Sequence, residues 1–143
     1  MKNNAVIKKY SELAIGNNVN FEVTITENLI NDFANLSGDH SPIHIDNTYA
    51  QTTQFGQKIG HGMLAGIWFS QLVGMHLPGA YAVYLSQCLN FHKPFIIGKK
   101  AIVLGEIIQK IDAVQSIKIK TTVIDKTDGE TLVSGEALVK LLS

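Results

Sequence analysis

Residues 61–77 read HGMLAGIWFSQLVGMHL, apolar on nearly every side of a helical projection. A helix of that kind is stable only where neighbours cover it all round, so the rest of the chain has to wrap it. Pro78-Gly79 ends the run, because proline brings no N–H to continue a helix. Beyond it the hydrophobic period drops to two. Residues 80–91, 100–110, 115–124 and 131–142 read as strands. Asp128-Gly129 marks a turn between the last two, and short segments such as 94–98 join the others, as in an antiparallel meander. Ahead of the helix, Val19, Phe21, Val23 and Ile25 alternate with polar residues and predict a half-buried strand. These elements predict an α+β fold, an antiparallel sheet wrapped around one long buried helix. One such sheet leaves an edge strand open, and pairing of two copies into a homodimer is a natural way to cover it.

The chain of 143 residues predicts one domain over 1–143, with no repeat or linker. Twelve Lys balance six Asp and six Glu, and there is no Arg. A net charge of zero without guanidinium groups argues against a nucleic-acid surface, which needs a basic stripe to displace counterions. Any phosphate on a ligand must then be met by Lys, backbone N–H groups or water. Cys88 is the sole cysteine, which excludes an intrachain disulfide and a cysteine metal cluster. MKNNAVIKKY lacks the apolar run of a signal peptide, and the apolar stretch from Met63 to Met75 is too short to span a bilayer. The expectation is a cytoplasmic protein without membrane contact.

Chemistry concentrates in SGDHSPIHID, residues 37–46. Thr26 reads as the N-cap of a helix that carries Leu29, Ile30, Phe33 and Leu36 on one face and ends at Ser37-Gly38. Asp46 can cap a short helix over residues 47–52. Between them, His40 and His44 lie four apart and are flanked by Asp39 and Asp46, which raises a metal site. Pro42 interrupts that spacing, so a regular helix with both histidines on one face is not expected, and no metal site is assigned. Pro42 also restricts Ser41 to extended conformations, and Ile43 and Ile45 should bury on one side, turning His44 the other way. A carboxylate and an imidazole on so stiff a loop form a minimal acid–base device. Ser41 lacks a nucleophile elbow, which favours proton transfer to and from water over covalent catalysis. Downstream, His61-Gly62 opens the buried helix. Free N–H groups there could stabilise an oxyanion such as a polarised thioester carbonyl. Equally, Gly62 could serve tight packing alone, with His61 as a cap.

The ordered blocks Gly38-Asp39-His40-Ser41-Pro42-Ile43-His44-Ile45-Asp46, Tyr49-Ala50, Phe55, Ile59-Gly60-His61-Gly62-Met63-Leu64, Leu77-Pro78-Gly79, Phe91-His92-Lys93-Pro94 and Gly135-Glu136-Ala137 resemble the R-specific enoyl-CoA hydratase (MaoC-like dehydratase) family from about Phe21 onward. The resemblance implies a hot-dog fold and reversible hydration of trans-2-enoyl thioesters to (R)-3-hydroxyacyl thioesters. It implies Asp39 and His44 as the catalytic pair, Gly62 as backbone donor to the thioester oxygen and Ser70 as a polar residue near the site. No cofactor and no metal is implied. Ser41 stands where the family usually has Asn, which touches the geometry of the loop rather than the reaction class. His40 takes no role, His61 supports the helix start, and His76 and His92 are structural or surface residues.

Ile67, Trp68, Leu72 and Met75 are candidate pocket walls on the buried helix, and family analogy suggests short to medium acyl groups. The carrier is CoA or acyl carrier protein, with Lys99 and Lys100 as candidate phosphate contacts. A thioesterase of the same fold would need a carboxylate on the central helix, and residues 62–70 contain no Asp or Glu. A non-catalytic acyl-thioester-binding subunit is the other alternative, and the presence of both Asp39 and His44 counts against it. Which of the two is base and which is acid stays open at this level.

Overall fold

The computed structural model describes residues 4–142. Its long strands follow the alternation of the sequence. β1 (Asn18–Thr24) pairs with the later β6 (Lys100–Ile111), which continues through β7 (Ser116–Asp125) into β8 (Thr131–Leu141), all antiparallel. β3 (Ala82–Gln87) closes the order β1-β6-β7-β8-β3, and the two-residue β4 (Asn90–Phe91) also pairs with β8. One face of this sheet carries Val103, Ile107, Ile119, Val123, Val133 and Val139, all buried. Alternation puts these residues on one side of the pleat, which is why the strands could be read from period alone.

That face receives α4 (Leu64–Gln71) and the π-helical turn Leu72–His76 that prolongs it. Leu64, Ala65, Phe69 and Leu72 are fully buried against the sheet. The approach is close. A Cβ on Gly105 of β6 would lie 2.6 Å from Leu72 Cδ2, so a glycine is what lets the helix seat here. The antiparallel sheet around a central helix is the hot-dog fold expected from the sequence. One expectation about α4 needs correction. The helix is not covered on every side, because Met63, Ile67 and Met75 are 55%, 41% and 36% exposed. A single curved sheet covers one side of a helix, and the stripe opposite stays open.

Between β1 and α4 the chain forms three helices. Thr26 caps α1 (Glu27–Ser37) by accepting from the Leu29 N–H, and Gly38 ends it in the left-handed conformation at φ 80°. Ile30 and Ala34 bury, whereas Leu36 is 83% exposed, because it lies on the last turn beyond the reach of the core. Pro42 does not forbid a helix. It stands at the first position of the one-turn α2 (Pro42–Ile45), where its missing N–H costs nothing. Ile45 is accordingly 38% exposed and Ile43 only partly buried, so the two do not bury together as expected. Asp46 caps α3 (Asn47–Gln51) through the Tyr49 N–H, as its position predicted. A second, two-stranded ladder joins β2 (Ile59–Gly60) to β5 (Phe95–Ile96) and ties the loop before α4 to the segment before β6.

Candidate active site

Gly38 to Ser41 crosses from α1 to α2, and Asp39 is anchored in that crossing by its main chain. Its N–H donates to Ser37 Oγ at 3.1 Å, and its Oδ1 accepts from the Ser41 N–H at 3.1 Å. Ser41 therefore contributes its backbone at this point, and its side chain does not cap α2. The second carboxylate oxygen, Oδ2, faces inward, 3.9 Å from His61 Nε2. One carboxylate oxygen of Asp39 and one ring nitrogen each of His44 and His61 lie within 4.8 Å of one another.

His44 lies on α2, and its Nδ1 is 2.7 Å from the Ile59 carbonyl of β2. A carbonyl only accepts, so Nδ1 carries the proton. In neutral His44 the lone pair is then on Nε2, ready to accept a proton. His61 begins the approach to α4 and is 2% exposed. Its ring stacks on His44 at 3.9 Å between centroids, with 29° between the planes, and meets Phe33 on α1 at 4.6 Å. Nε2 donates to the Asp39 carbonyl at 3.0 Å. Burial pushes the His61 imidazole below its ordinary pKa, more strongly than the Asp39 carbonyl raises it.

A cleft of about 370 Å³ opens beside this trio, lined by His44 and Gly62 together with Phe55, Met63, Phe91 and Lys93 among others. It brings together two of the residues singled out from sequence, on elements 18 positions apart. A Cβ on Gly62 would come within 2.8 Å of the Phe91 ring. Neither the Gly62 nor the Met63 N–H is taken by a backbone carbonyl among the described residues. The other candidates stand elsewhere. Trp68 and Leu72 are sealed in the core, and Trp68 packs edge-on against Phe95, whose ring lines the cleft, so it backs the wall instead of forming it. Ile67 and Ser70 are on the open side of α4 and do not line the cleft. Lys99 and Lys100 are held by Asp125 at 3.3 Å and Glu22 at 2.9 Å, and neither lines it. The cation at its edge is Lys93, paired with Glu130. His40 bonds only near neighbours, Gly38 and Asn35, and His92 bonds Ser134 on the sheet. Sequence reasoning gave His61 no chemical part, although its placement beside Asp39 and His44 is the most enclosed in the site.

A family model described as MaoC like domain matches residues 11–129. The chain belongs to the MaoC-like dehydratase family. Two curated relatives illustrate the likeness. A protein of Rhodospirillum rubrum named (R)-specific enoyl-CoA hydratase is 32% identical over 134 residues, 94% of this chain and 92% of the relative. One of the same name from Aeromonas caviae is 40% identical over 109 residues, 76% of this chain and 81% of the relative. Among solved structures, the unliganded R-hydratase PhaJ1 of Pseudomonas aeruginosa superposes with a TM-score of 0.87 at 34% identity, covering 97% of this chain and 86% of that one. The MaoC-like membership agrees with the sheet and central helix described above. Among the described residues no helix is long and apolar enough to cross a membrane.

Proposed function

We propose that this protein is an (R)-specific enoyl-CoA hydratase, a hydro-lyase that adds water reversibly to short and medium trans-2-enoyl thioesters. The observation that carries the reading is the His44–Ile59 hydrogen bond of 2.7 Å, which leaves Nε2 of this cleft-lining ring as a basic lone pair, with an Asp39 carboxylate oxygen within 4.8 Å of one of its nitrogens. The names of the relatives support the substrate class.

In this reading the thioester carbonyl approaches the Gly62 N–H at the start of α4, where main-chain donors and the helix dipole favour the charge that develops on oxygen. A water is shared between Asp39 Oδ2 and His44 Nε2. His44 Nε2 takes one of its protons as the water oxygen bonds to C3, and the electrons of the double bond pass to the thioester as an enolate. The same Nε2–H then returns the proton to C2. One O–H bond breaks, and one C–O and one C–H bond form on the same face of the alkene, which gives a single stereoisomer. Asp39 holds the water and balances the transient imidazolium. Phe55, Met63 and Phe91 give the acyl chain an apolar wall, and Lys93 is the cation positioned to meet a negatively charged carrier.

A homodimer completes the reading. Ile67 on α4, Met75 on the turn that prolongs it, and Val83 and Leu85 on edge strand β3 leave apolar surface exposed, and a second copy is the partner that would cover a helix stripe and a sheet edge together. The test of the activity is loss of enoyl absorbance with crotonyl-CoA and chiral analysis of the product. Turnover to the (R)-3-hydroxy product by the wild type, lost in Asp39→Asn and His44→Ala, is the expected result. A folded wild type inactive on CoA-bound and carrier-protein-bound enoyl substrates would sink the reading.

A further inference from the structure

The enclosed ring of His61 is the one buried titratable group in the site to which the reaction above gives no part. Three contacts define it. Its edge donates Nε2–H to the Asp39 carbonyl at 3.0 Å, across 22 positions of chain. One face lies on the His44 ring at 3.9 Å. Phe33 packs against it at 4.6 Å. Its remaining polar atom, Nδ1, is buried and has no hydrogen-bond partner among the described residues.

These contacts leave the ring little freedom. A carbonyl accepts only, so Nε2 must carry the hydrogen, and in the neutral ring Nδ1 is then a bare lone pair. A lone pair tolerates burial better than an N–H with nothing to receive it. A proton on Nδ1 would create such a donor and also set a cation face to face with His44. The contacts therefore favour one neutral tautomer. Its position is also strategic. Asp39 sits on a coil, its side chain half exposed, and its other two hydrogen bonds are to Ser37 and Ser41, within two residues along the chain. The His61 bond is what ties this coil to the start of α4, where Gly62 lies.

We infer that His61 is a positioning residue for the hydration reaction, holding the Asp39 main chain by its edge and the His44 ring by its face, and so setting the distance between the two groups that share the water. The inference rests on the hydratase reading above. It assigns separate duties to the two features of one side chain, which two substitutions can separate. His61→Phe keeps a flat face and loses the donor. His61→Gln keeps a donor near Nε2 and loses the face.

Both variants are compared with wild type on crotonyl-CoA, together with thermal unfolding. Because a displacement of about 1 Å at reacting groups can cost on the order of 100-fold, kcat should fall about 10- to 100-fold in each, with KM changed by no more than about threefold. Wild-type kcat in either variant would overturn the inference, since one of the two contacts would then be dispensable. A loss carried by KM alone would also overturn it, making His61 part of the binding wall. Imidazole nitrogen NMR on the wild type supplies a readout independent of turnover and of how well the variants fold. His61 should report a neutral ring protonated at Nε2 from about pH 6 to about pH 8. An imidazolium or an Nδ1–H tautomer at neutral pH would refute the arrangement. Absence of wild-type turnover would instead count against the hydratase reading, and the NMR result would still decide the state of His61.

Discussion

Gly62→Ala asks whether the cleft wall at the start of α4 is reserved for substrate. Gly62 is not among the glycines with positive φ, so alanine brings no backbone strain and restricts the unfolded chain, a gain of about 0.4–1 kcal/mol. Against this, the added Cβ would lie 2.8 Å from Phe91 Cδ1 and 2.9 Å from Cε1. That is roughly 1 Å inside ordinary carbon–carbon contact. Phe91 is 54% exposed, so its ring can swing toward solvent at a cost of about 1 kcal/mol. The two effects nearly cancel, and Tm should stay within about 4 °C of wild type. Turnover should not. The methyl group occupies the approach to the Gly62 N–H, and displacing the carbonyl by about 1 Å is worth about 100-fold in kcat/KM, or about 2.7 kcal/mol. The assay pairs thermal unfolding with crotonyl-CoA kinetics, and adds Phe91→Ala on the same background. That second change should relieve the contact and restore any lost Tm while leaving activity low. Wild-type kcat/KM in Gly62→Ala would show that no reacting group comes near residue 62. Recovery of activity in the double variant would transfer the effect to the displaced ring.

Two further outcomes follow from the same geometry. Ile67→Glu puts a charge on the open stripe of α4 without touching the core, and should convert the proposed dimer to monomer in light scattering. An unchanged mass, or a wild type already monomeric, would remove that stripe from any self-association. The second concerns pH. His61 faces His44 and His40, which lower its proton affinity, and Asp39, which raises it, with burial the largest influence and downward. Below the unfolded-chain value of 6.5 the unfolded state therefore takes up a proton that the folded state resists. Stability from this residue is complete above that pH and declines as pH falls below it. Urea midpoints should drop between about pH 7 and about pH 5, and His61→Phe should flatten the slope. An equal slope in the variant would refute the assignment.

β6 and β7 were readable because each has one face buried, and a buried face prints a period of two into the sequence, as the half-buried face of β1 also does. Caps were readable for a similar local reason: Thr26 and Asp46 each satisfy an N–H group three residues away. β2 and β5 were not, since two residues carry no period, and the single strand expected over 80–91 is broken into β3 and the two-residue β4. Pro42 misled because a proline forbids the middle of a helix but suits its first position, and no neighbour in the sequence distinguishes the two. Leu36 followed the helical stripe, yet a stripe does not announce where the opposing layer ends. The motif pointed to Asp39, His44 and Gly62, of which His44 and Gly62 line the cleft while Asp39 lies beside the two histidines, and it gave no part to His61. Its ring gains importance from lying under His44 and against the Asp39 carbonyl, 17 and 22 positions away, which is a property of the folded chain alone.

The bonds that orient this site end on main-chain atoms: the Ile59 carbonyl for His44, the Asp39 carbonyl for His61, the Ser41 N–H for Asp39. Ile59 belongs to the β2–β5 ladder, and its carbonyl stays in place whatever side chain position 59 carries. The partner of His44 Nδ1 is a main-chain carbonyl and not a carboxylate, so exchange of the side chain at the accepting position leaves the acceptor in place. Phe55, Met63 and Phe91 face the same cleft as side chains and are free to vary in size. In the proposed reading the chemistry is thus stored in the ladder and the selectivity in the lining, two separable layers of information. A library randomised at those three positions could search acyl preference while every member inherits the same oriented histidine.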